Sequence, residues 1–487
     1  MLFNSYSFIF IFLPTSLIIF TALRNHKNTN ISIFWLVLAS LFFYCWWKPV
    51  YLPILLFSIG FNYIAGYQLS RNKSDVFLKK CQLAGSIAIN LLLLGYFKYL
   101  NFFFATINNL VGTDIQFQAI ALPLAISFFT FQQIAYLVDS YRGKTQEYNF
   151  LQYCLFVSYF PQLIAGPIVH HDDVIPQFSH EKSIKIRNED IAIGLTIFSI
   201  GLFKKVVFAD TAATFANPIF ESALSGGQVD LLQSWLGALA YTLQLYFDFS
   251  GYSDMAIGAA RLFGIHLPLN FNSPYKSISI TDFWRRWHIT LSQFLRDYLY
   301  IPLGGNRKSE IRRYINLILT MLLGGLWHGA GWTFVLWGGL HGAYLVVHRL
   351  WEKTIPPISS WWYQISAQLL TFLAVVVSWV LFRSTDLASA SVVLQGMVGV
   401  NGIHTTPSIH SIAWFSALLA IVFFAPNSQE LIPSVCSTFK DMPTILHNDT
   451  QYWQWRPNTY WAIFVATILV VAVAFISKEN EFIYFQF

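Results

Sequence analysis

The sequence predicts an all-α polytopic membrane protein of about eleven transmembrane helices, with further re-entrant and interfacial helices between them. Three observations carry this. Of its 487 residues 55% are hydrophobic and only 11% charged, for a mean hydropathy of +0.50, too few charges to cover a soluble globule. Apolar runs of membrane-crossing length recur from one end of the chain to the other. The polar residues inside those runs are few and clustered, as expected where each must find a partner or a wet cavity.

The runs fall at 6–23, 31–48, 50–68, 82–98, 119–140, 150–168, 191–208, 229–247, 252–265, 314–327, 330–348, 363–382, 411–425 and 459–477. Several are too short to cross alone and read as re-entrant or interfacial. The opening MLFNSYSFIFIFLPTSLIIFTAL has no basic start and no small-residue cleavage site, so it reads as a retained first span. Basic residues alternate between loops: Arg24 and Lys27, then Arg71, Lys73, Lys79 and Lys80, then Arg142 and Lys144, against Lys48 and Lys98 on the opposite side. Positive loops stay inside, which puts the amino terminus outside and favours a cytoplasmic position for Arg285 to Arg313. The net charge of +6 is therefore a matter of topology, and no basic domain exists to hold nucleic acid. Cys45, Cys81, Cys154 and Cys436 form no C-x-x-C pair and read as small hydrophobes. No internal repeat interrupts the chain, which reads as one membrane domain over 1–487 with its core motifs in about 150–350.

The stretch from Thr281 to Gly342 holds the two histidines that matter most. Wound as one helix, Thr281 to Tyr300 places Trp284, Trp287, Leu291, Phe294, Leu295 and Tyr298 on one arc, with His288 at its edge. Arg285, Arg286, Gln293, Arg296 and Asp297 take the other side, the pattern of a helix lying in a membrane interface. His328 interrupts an apolar run and is flanked by Trp327 and Gly329, with Gly324, Gly325 and Gly331 nearby to allow close backbone approach. An ionisable ring at membrane depth usually faces a cavity or a partner. The plain alternative for either ring is a core histidine satisfied by a hydrogen bond. His341 and His348, seven apart, share a face and read as packing or helix-end residues.

Other clusters are weaker. His170, His171, Asp172 and Asp173 invite a metal reading, but adjacent residues point in different directions, and a polar loop at the membrane edge is the default. Pro161 and Pro167 around Gly166 predict a broken helix. Asp254 and Arg261 share a helical face but are about 10 Å apart along the axis, so a third group must lie between them. Asp248 and Asp254 in hydrocarbon imply partners or water; a scaffold role in a kinked helix is the default. His404, His410 and His447 fall in polar loops.

MLFNSYSFIFIFLP, SYFPQLIAGPI, LQLYFDFSGYSDMAIGAARLFGI, NFNSPY, FWRRWHITLSQFLRDYLYIPLGGNR and GLWHGAGWTFVLWGGLHG together resemble the membrane-bound O-acyltransferase (MBOAT) family, in its bacterial alginate O-acetyltransferase form. The resemblance covers most of the chain and implies the MBOAT fold. It also implies catalytic roles for His328, in the WHG block, and His288, in RRWH. A cytoplasmic acyl donor, expected to be acetyl-CoA with no tightly bound cofactor and no metal, would meet an acceptor from across the membrane at these histidines. The implied setting is the bacterial inner membrane, with a periplasmic or membrane-anchored acetyltransferase partner and a polysaccharide acceptor such as alginate; peptidoglycan or another envelope polymer is the alternative. Residue chemistry agrees: a histidine of near-neutral pKa suits deprotonation of an acceptor hydroxyl. His328 is expected to be that base, reachable from both compartments, with His288 orienting the donor or stabilising the oxyanion. Arg285 and Arg286 suit CoA phosphates, and equally lipid headgroups. Two other classes compete: a transporter or flippase using Asp248, Asp254 and the histidines, and a scaffold that tolerates loss of both histidines.

Overall fold

The computed structural model describes residues 1–24, 29–71, 75–115, 120–145, 148–179, 186–356, 358, 360–435, 453–476 and 483. His447 and Cys436 lie outside the described residues. Among the described residues the regular structure is all helix, as the composition requires. Among the described residues five helical stretches are long and apolar enough to cross a membrane: Ser7–Arg24, Pro49–Arg71, Val76–Val111, Asn188–Leu224 and Trp361–Arg383. Side chains such as Ile11, Leu92, Leu370 and Ile463 are more than half exposed on these and shorter apolar helices. Lipid tails are the solvent that makes such exposure favourable, and the protein is embedded in a membrane.

The chain forms two compact units. Met1–Leu202, Tyr252–Pro268 and Pro457–Leu469 make the first. It contains α1 (Ser7–Arg24), α2 (Thr29–Cys45), α3 (Leu52–Arg71), α4 (Val76–Val111), α5 (Ile126–Tyr141), α6 (Phe150–Ser158), α7 (His171–Ser179) and the first half of α8 (Asn188–Leu224). Its interior is aromatic: Phe3, Phe8, Phe43, Phe160 and Phe263 link through centroid separations of 4.7 to 5.8 Å. Inside this apolar setting Asn62 and Asn90 exchange amide hydrogen bonds of 3.0 and 2.7 Å, pinning α3 to α4 without an unsatisfied group.

Two expectations change here and a third holds. Lys98 is not a loop residue: α4 continues past it through a widened π segment, Gly95–Tyr99, and its ammonium donates to Ser127 Oγ at 3.2 Å. The run at 119–140 becomes helical only at Ile126, because Pro123 precedes it. At 150–168 the helix breaks, as the prolines predict: α6 ends at Ser158, Phe160–Leu163 adds one turn, and the chain runs irregularly but buried to Val169. Buried irregular backbone needs donors, and Ser40 Oγ accepts from Phe160 N at 3.1 Å while Gln132 Nε2 donates to Phe156 O at 2.9 Å.

Phe203–Gly251, Leu269–Arg456 and Val470–Phe487 make the second unit. The runs at 229–247 and 252–265 prove to be one helix, α9 (Leu231–Leu262), because Ser250 and Gly251 do not interrupt its ladder. Then come α10 (Ile280–Arg286), α11 (Ile289–Leu295), α12 (Glu310–His328), α13 (Trp332–Thr354), α14 (Trp361–Arg383), α15 (Leu387–Met397) and α16 (Ile409–Phe424); α17 (Thr459–Ala474) belongs to the first unit as far as Leu469 and to the second from Val470. α12 and α13 form a hairpin with a glycine seam. A Cβ on Gly338 would sit 2.2 Å from Met321 O, and one on Gly325 would sit 2.2 Å from Phe334 O. Only hydrogen fits at those two positions, so the backbones come close enough to turn at His328.

Candidate active site

The single helix expected over Thr281 to Tyr300 does not form. It divides into α10 and α11 at His288, whose backbone is left-handed at φ 42° and ψ 56°. The cause lies upstream, in the Asn270 to Ser273 part of NFNSPY. Asn272 N donates to Arg286 O at 2.9 Å, and Ile289 N donates to Asn270 O at 2.9 Å, so this segment takes up the backbone groups that a continuous helix would use internally. The segment is itself held by Asn427, whose amide donates to Asn272 Oδ1 and Ser273 Oγ at 2.9 Å each. A non-glycine residue at positive φ is uncommon and is kept where surroundings over-determine it. Ser273 (φ 45°) is a second such residue in the same structure.

The break delivers the His288 ring into the interior, 0% exposed. Asn270 Oδ1 accepts from Thr290 Oγ1 at 3.0 Å and from Thr290 N at 3.4 Å, so this amide atom is the oxygen. His288 Nδ1, 2.9 Å from the same oxygen, must then be the protonated nitrogen, and the lone pair of the neutral ring is on Nε2. Phe249 lies edge-on to this ring at 4.8 Å.

His328 ends α12 and is 4% exposed. Its ring lies 6.4 Å from that of His288, centroid to centroid, so two residues forty positions apart are brought together. Trp327 at 4.9 Å, Trp337 at 5.2 Å and Phe382 at 5.2 Å close the other sides. His341 is different in kind. Its Nδ1 accepts from Trp284 Nε1 at 3.3 Å, and its Nε2–H donates to Ser378 Oγ at 2.9 Å, which in turn donates to Val375 O. Both nitrogens serve packing, the role expected of it.

A cavity of about 500 Å³ opens beside this pair. Leu269 and Asn272, on either side of Asn270, and Ile289, next to His288, line it; neither histidine does. Arg285, Arg296 and Arg349 line it as well. Arg296 pairs with Asp297 at 2.7 Å and Arg349 with Glu352 at 2.7 Å. Arg286 is absent from the lining and pairs with Asp282 at 3.0 Å. Arg285, which makes no ion pair among the described residues, is the lining cation best placed for an anionic group.

The remaining polar clusters resolve into ion pairs. Arg261 meets Asp190 at 2.8 Å, and Asp190 also takes Arg187 at 3.0 Å, so the arginine finds its carboxylate on another helix. Lys205 lies 2.6 Å from Asp248 and 2.9 Å from Asp210, the three side chains being at most 11% exposed. His171 sits 2.7 Å from Asp172 and 3.4 Å from Asp139. Burial pushes its pKa down, but hydrogen bonds to Asp139 and Asp172 outweigh burial and raise it to about 9, so the ring is cationic. Among the described residues no group of three or more His, Cys, Asp or Glu is arranged to hold a metal ion.

The sequence profile of MBOAT, the membrane-bound O-acyltransferase family, matches residues 9–391, a span that includes both histidines. The chain belongs to this family. It is 42% identical to the peptidoglycan O-acetyltransferase of Helicobacter pylori over 531 aligned positions, covering 100% of this chain and 98% of that protein. It is 43% identical to the probable alginate O-acetylase AlgI of Pseudomonas aeruginosa, over 80% of this chain and 73% of that one. The teichoic acid D-alanyltransferase of Bacillus subtilis is 28% identical over 47% of this chain and 60% of its own length. As an MBOAT protein, the chain is an acyltransferase.

Asn270 is the residue that sequence reasoning passed over, although its motif was in view; nothing in its spacing announces that it fixes a ring eighteen residues away. Asn270→Ala in this MBOAT chain is expected to lower turnover by about 10²-fold, the scale of a misplacement of about 1 Å. Asn270→Asp, which keeps the acceptor oxygen, should retain more. Acyl transfer by both variants in membranes checks this, and an Ala variant at wild-type rate would remove Asn270 from the site.

Proposed function

We propose that this chain O-acetylates a glycan of the cell envelope from the bacterial inner membrane. Acetyl-CoA on the cytoplasmic side supplies the acetyl group, and a periplasmic or membrane-anchored partner carries it to the polymer. The observation that supports this above others is the buried pair of imidazoles at 6.4 Å, one of them held in a single tautomer by Asn270.

In the proposed step the acceptor oxygen forms a bond to the thioester carbonyl carbon, the carbon–sulfur bond breaks, and His328 moves the hydroxyl proton to the departing thiolate. That hydroxyl has one proton and His328 takes it, so neutral His288, with Nδ1–H committed to Asn270 and only a lone pair on Nε2, shapes the site by its place beside His328. It becomes an oxyanion donor only when protonated. Arg285 holds donor phosphate at the cavity mouth. Peptidoglycan is favoured as the acceptor over alginate because the likeness to the peptidoglycan protein runs the full length of both chains.

Base-released acetate, measured on purified peptidoglycan and on extracellular polysaccharide with and without the gene, tests the reading. Peptidoglycan acetate should fall to background in the deletion strain and return on complementation. A fall confined to extracellular polysaccharide would move the acceptor to the alginate class, and no change in either would overturn the proposal.

A further inference from the structure

The rings around His328 leave little room for the group being transferred. Trp327, Trp337 and Phe382 stand edge-on to it at 4.9 to 5.2 Å, with interplanar angles of 72° to 89°. The remaining side faces His288, 6.4 Å away. The two histidine rings are tilted 60° to one another, so the space between them is a wedge, less than the about 7 Å a planar group needs between two facing rings, and a two-carbon acetyl enters it with only a small widening. A longer acyl chain adds tetrahedral methylenes that must displace a ring edge.

We propose that Phe382, at the carboxyl end of α14, sets the length of the transferred acyl group at two carbons. This rests on the acyl-transfer reading above and adds the residue that selects the substrate. Phe382 is 1% exposed, and Phe334 at 5.1 Å, Trp337 at 5.0 Å and Trp379 at 5.3 Å hold its ring in place. A ring so wedged cannot swing aside for a longer chain, because close-packed interiors yield little to added volume. Trp337 also borders His328, but it packs on His341, Trp284 and a stacked Trp379, so truncating it would disturb the scaffold. Phe382 is therefore the position at which space can be opened next to the reacting histidine. The roomy cavity near Arg285 contrasts with this: none of Trp327, Trp337 and Phe382 lines it. The body of the donor and its acyl end thus meet opposite constraints, the first loose and the second tight.

The test uses membrane vesicles from the native host carrying the full chain as wild type, Phe382→Ala or Phe382→Leu. Vesicles receive acetyl-CoA, propionyl-CoA or butyryl-CoA, and ester-linked acyl groups on peptidoglycan are identified by mass spectrometry. One methylene in an apolar pocket discriminates by about 10- to 200-fold, so the butyryl-to-acetyl ratio should rise at least about 10-fold in Phe382→Ala and less in Phe382→Leu. Phe372→Leu, a ring lost one helix face away beside Tyr275 and Phe423, should leave the ratio unchanged. An unchanged ratio in both Phe382 variants, with acetyl ester still formed, overturns the length filter alone. Loss of all transfer in both would assign the ring to scaffolding and equally overturn it. Absence of acetyl ester from wild-type vesicles would sink the underlying reading and the filter with it.

Discussion

His328→Ala is expected to lower ester-linked acetate on the envelope glycan by about 10²- to 10⁴-fold, the usual contribution of a positioned acid or base, while the protein stays in the membrane. The separation of these two readouts is what gives the experiment its force. His328 ends its helix among rings, and removing it opens a hole beside Trp337 and Phe382, so some loss of stability accompanies any truncation there. His328→Gln keeps most of the volume and a polar atom but cannot shuttle a proton at neutral pH. If catalysis depends on the proton, the two variants lose transfer alike and differ in thermal stability. His341→Gln supplies the contrast, because both nitrogens of that ring are engaged in packing hydrogen bonds and its loss should appear first in stability. Normal acetylation in His328→Ala membranes, with protein amounts matched by immunoblot, would remove the base from the mechanism.

The membrane class was legible because it depends on bulk composition, and bulk composition survives every local surprise. The two histidines stand out in the sequence for a related reason: an imidazole in an apolar run has to be explained by something, whatever the local geometry. The continuous helix through His288 was not. Its arc of Trp284, Leu291 and Leu295 is a true helical pattern, and each half keeps it, but the join is decided by backbone hydrogen bonds that Asn270 O accepts and Asn272 N donates. Periodicity reports which residues face the core and carries no information about a competing segment of backbone eighteen residues upstream. The join of the two runs around Ser250 failed in the opposite direction. Acids inside the run resemble a break, whereas Lys205 neutralises Asp248 and lets the helix pass. Lys98 shows the same limit, since a lysine counted as a loop charge sits buried in a helix against Ser127.

That a lysine can cancel an acid at hydrocarbon depth leads to the largest stability effect expected of this chain. In Lys205→Met the Asp248 and Asp210 carboxylates lose the ammonium 2.6 and 2.9 Å away, and Asp248 is 0% exposed. Breaking a buried pair from one side costs about 3–5 kcal/mol, because the orphaned charge has neither water nor a counter-ion. The variant should therefore be strongly depleted from the membrane and melt earlier in detergent. Removing the charge from both sides should undo much of this: Lys205→Met with Asp248→Asn keeps an acceptor for the Ile483 N–H at 3.1 Å and leaves Asp210, at 11% the most exposed of the three, as the one carboxylate that has lost the lysine. Melting curves of the single and double variants give the coupling directly, and strict additivity would show that the pair is not the unit of stability. A further outcome bears on the rival class of function. If Lys205→Met accumulated and melted like wild type yet moved no acyl group, the lysine and its two acids would belong to a path for protons or substrate, and the scaffold role argued from their geometry would be wrong.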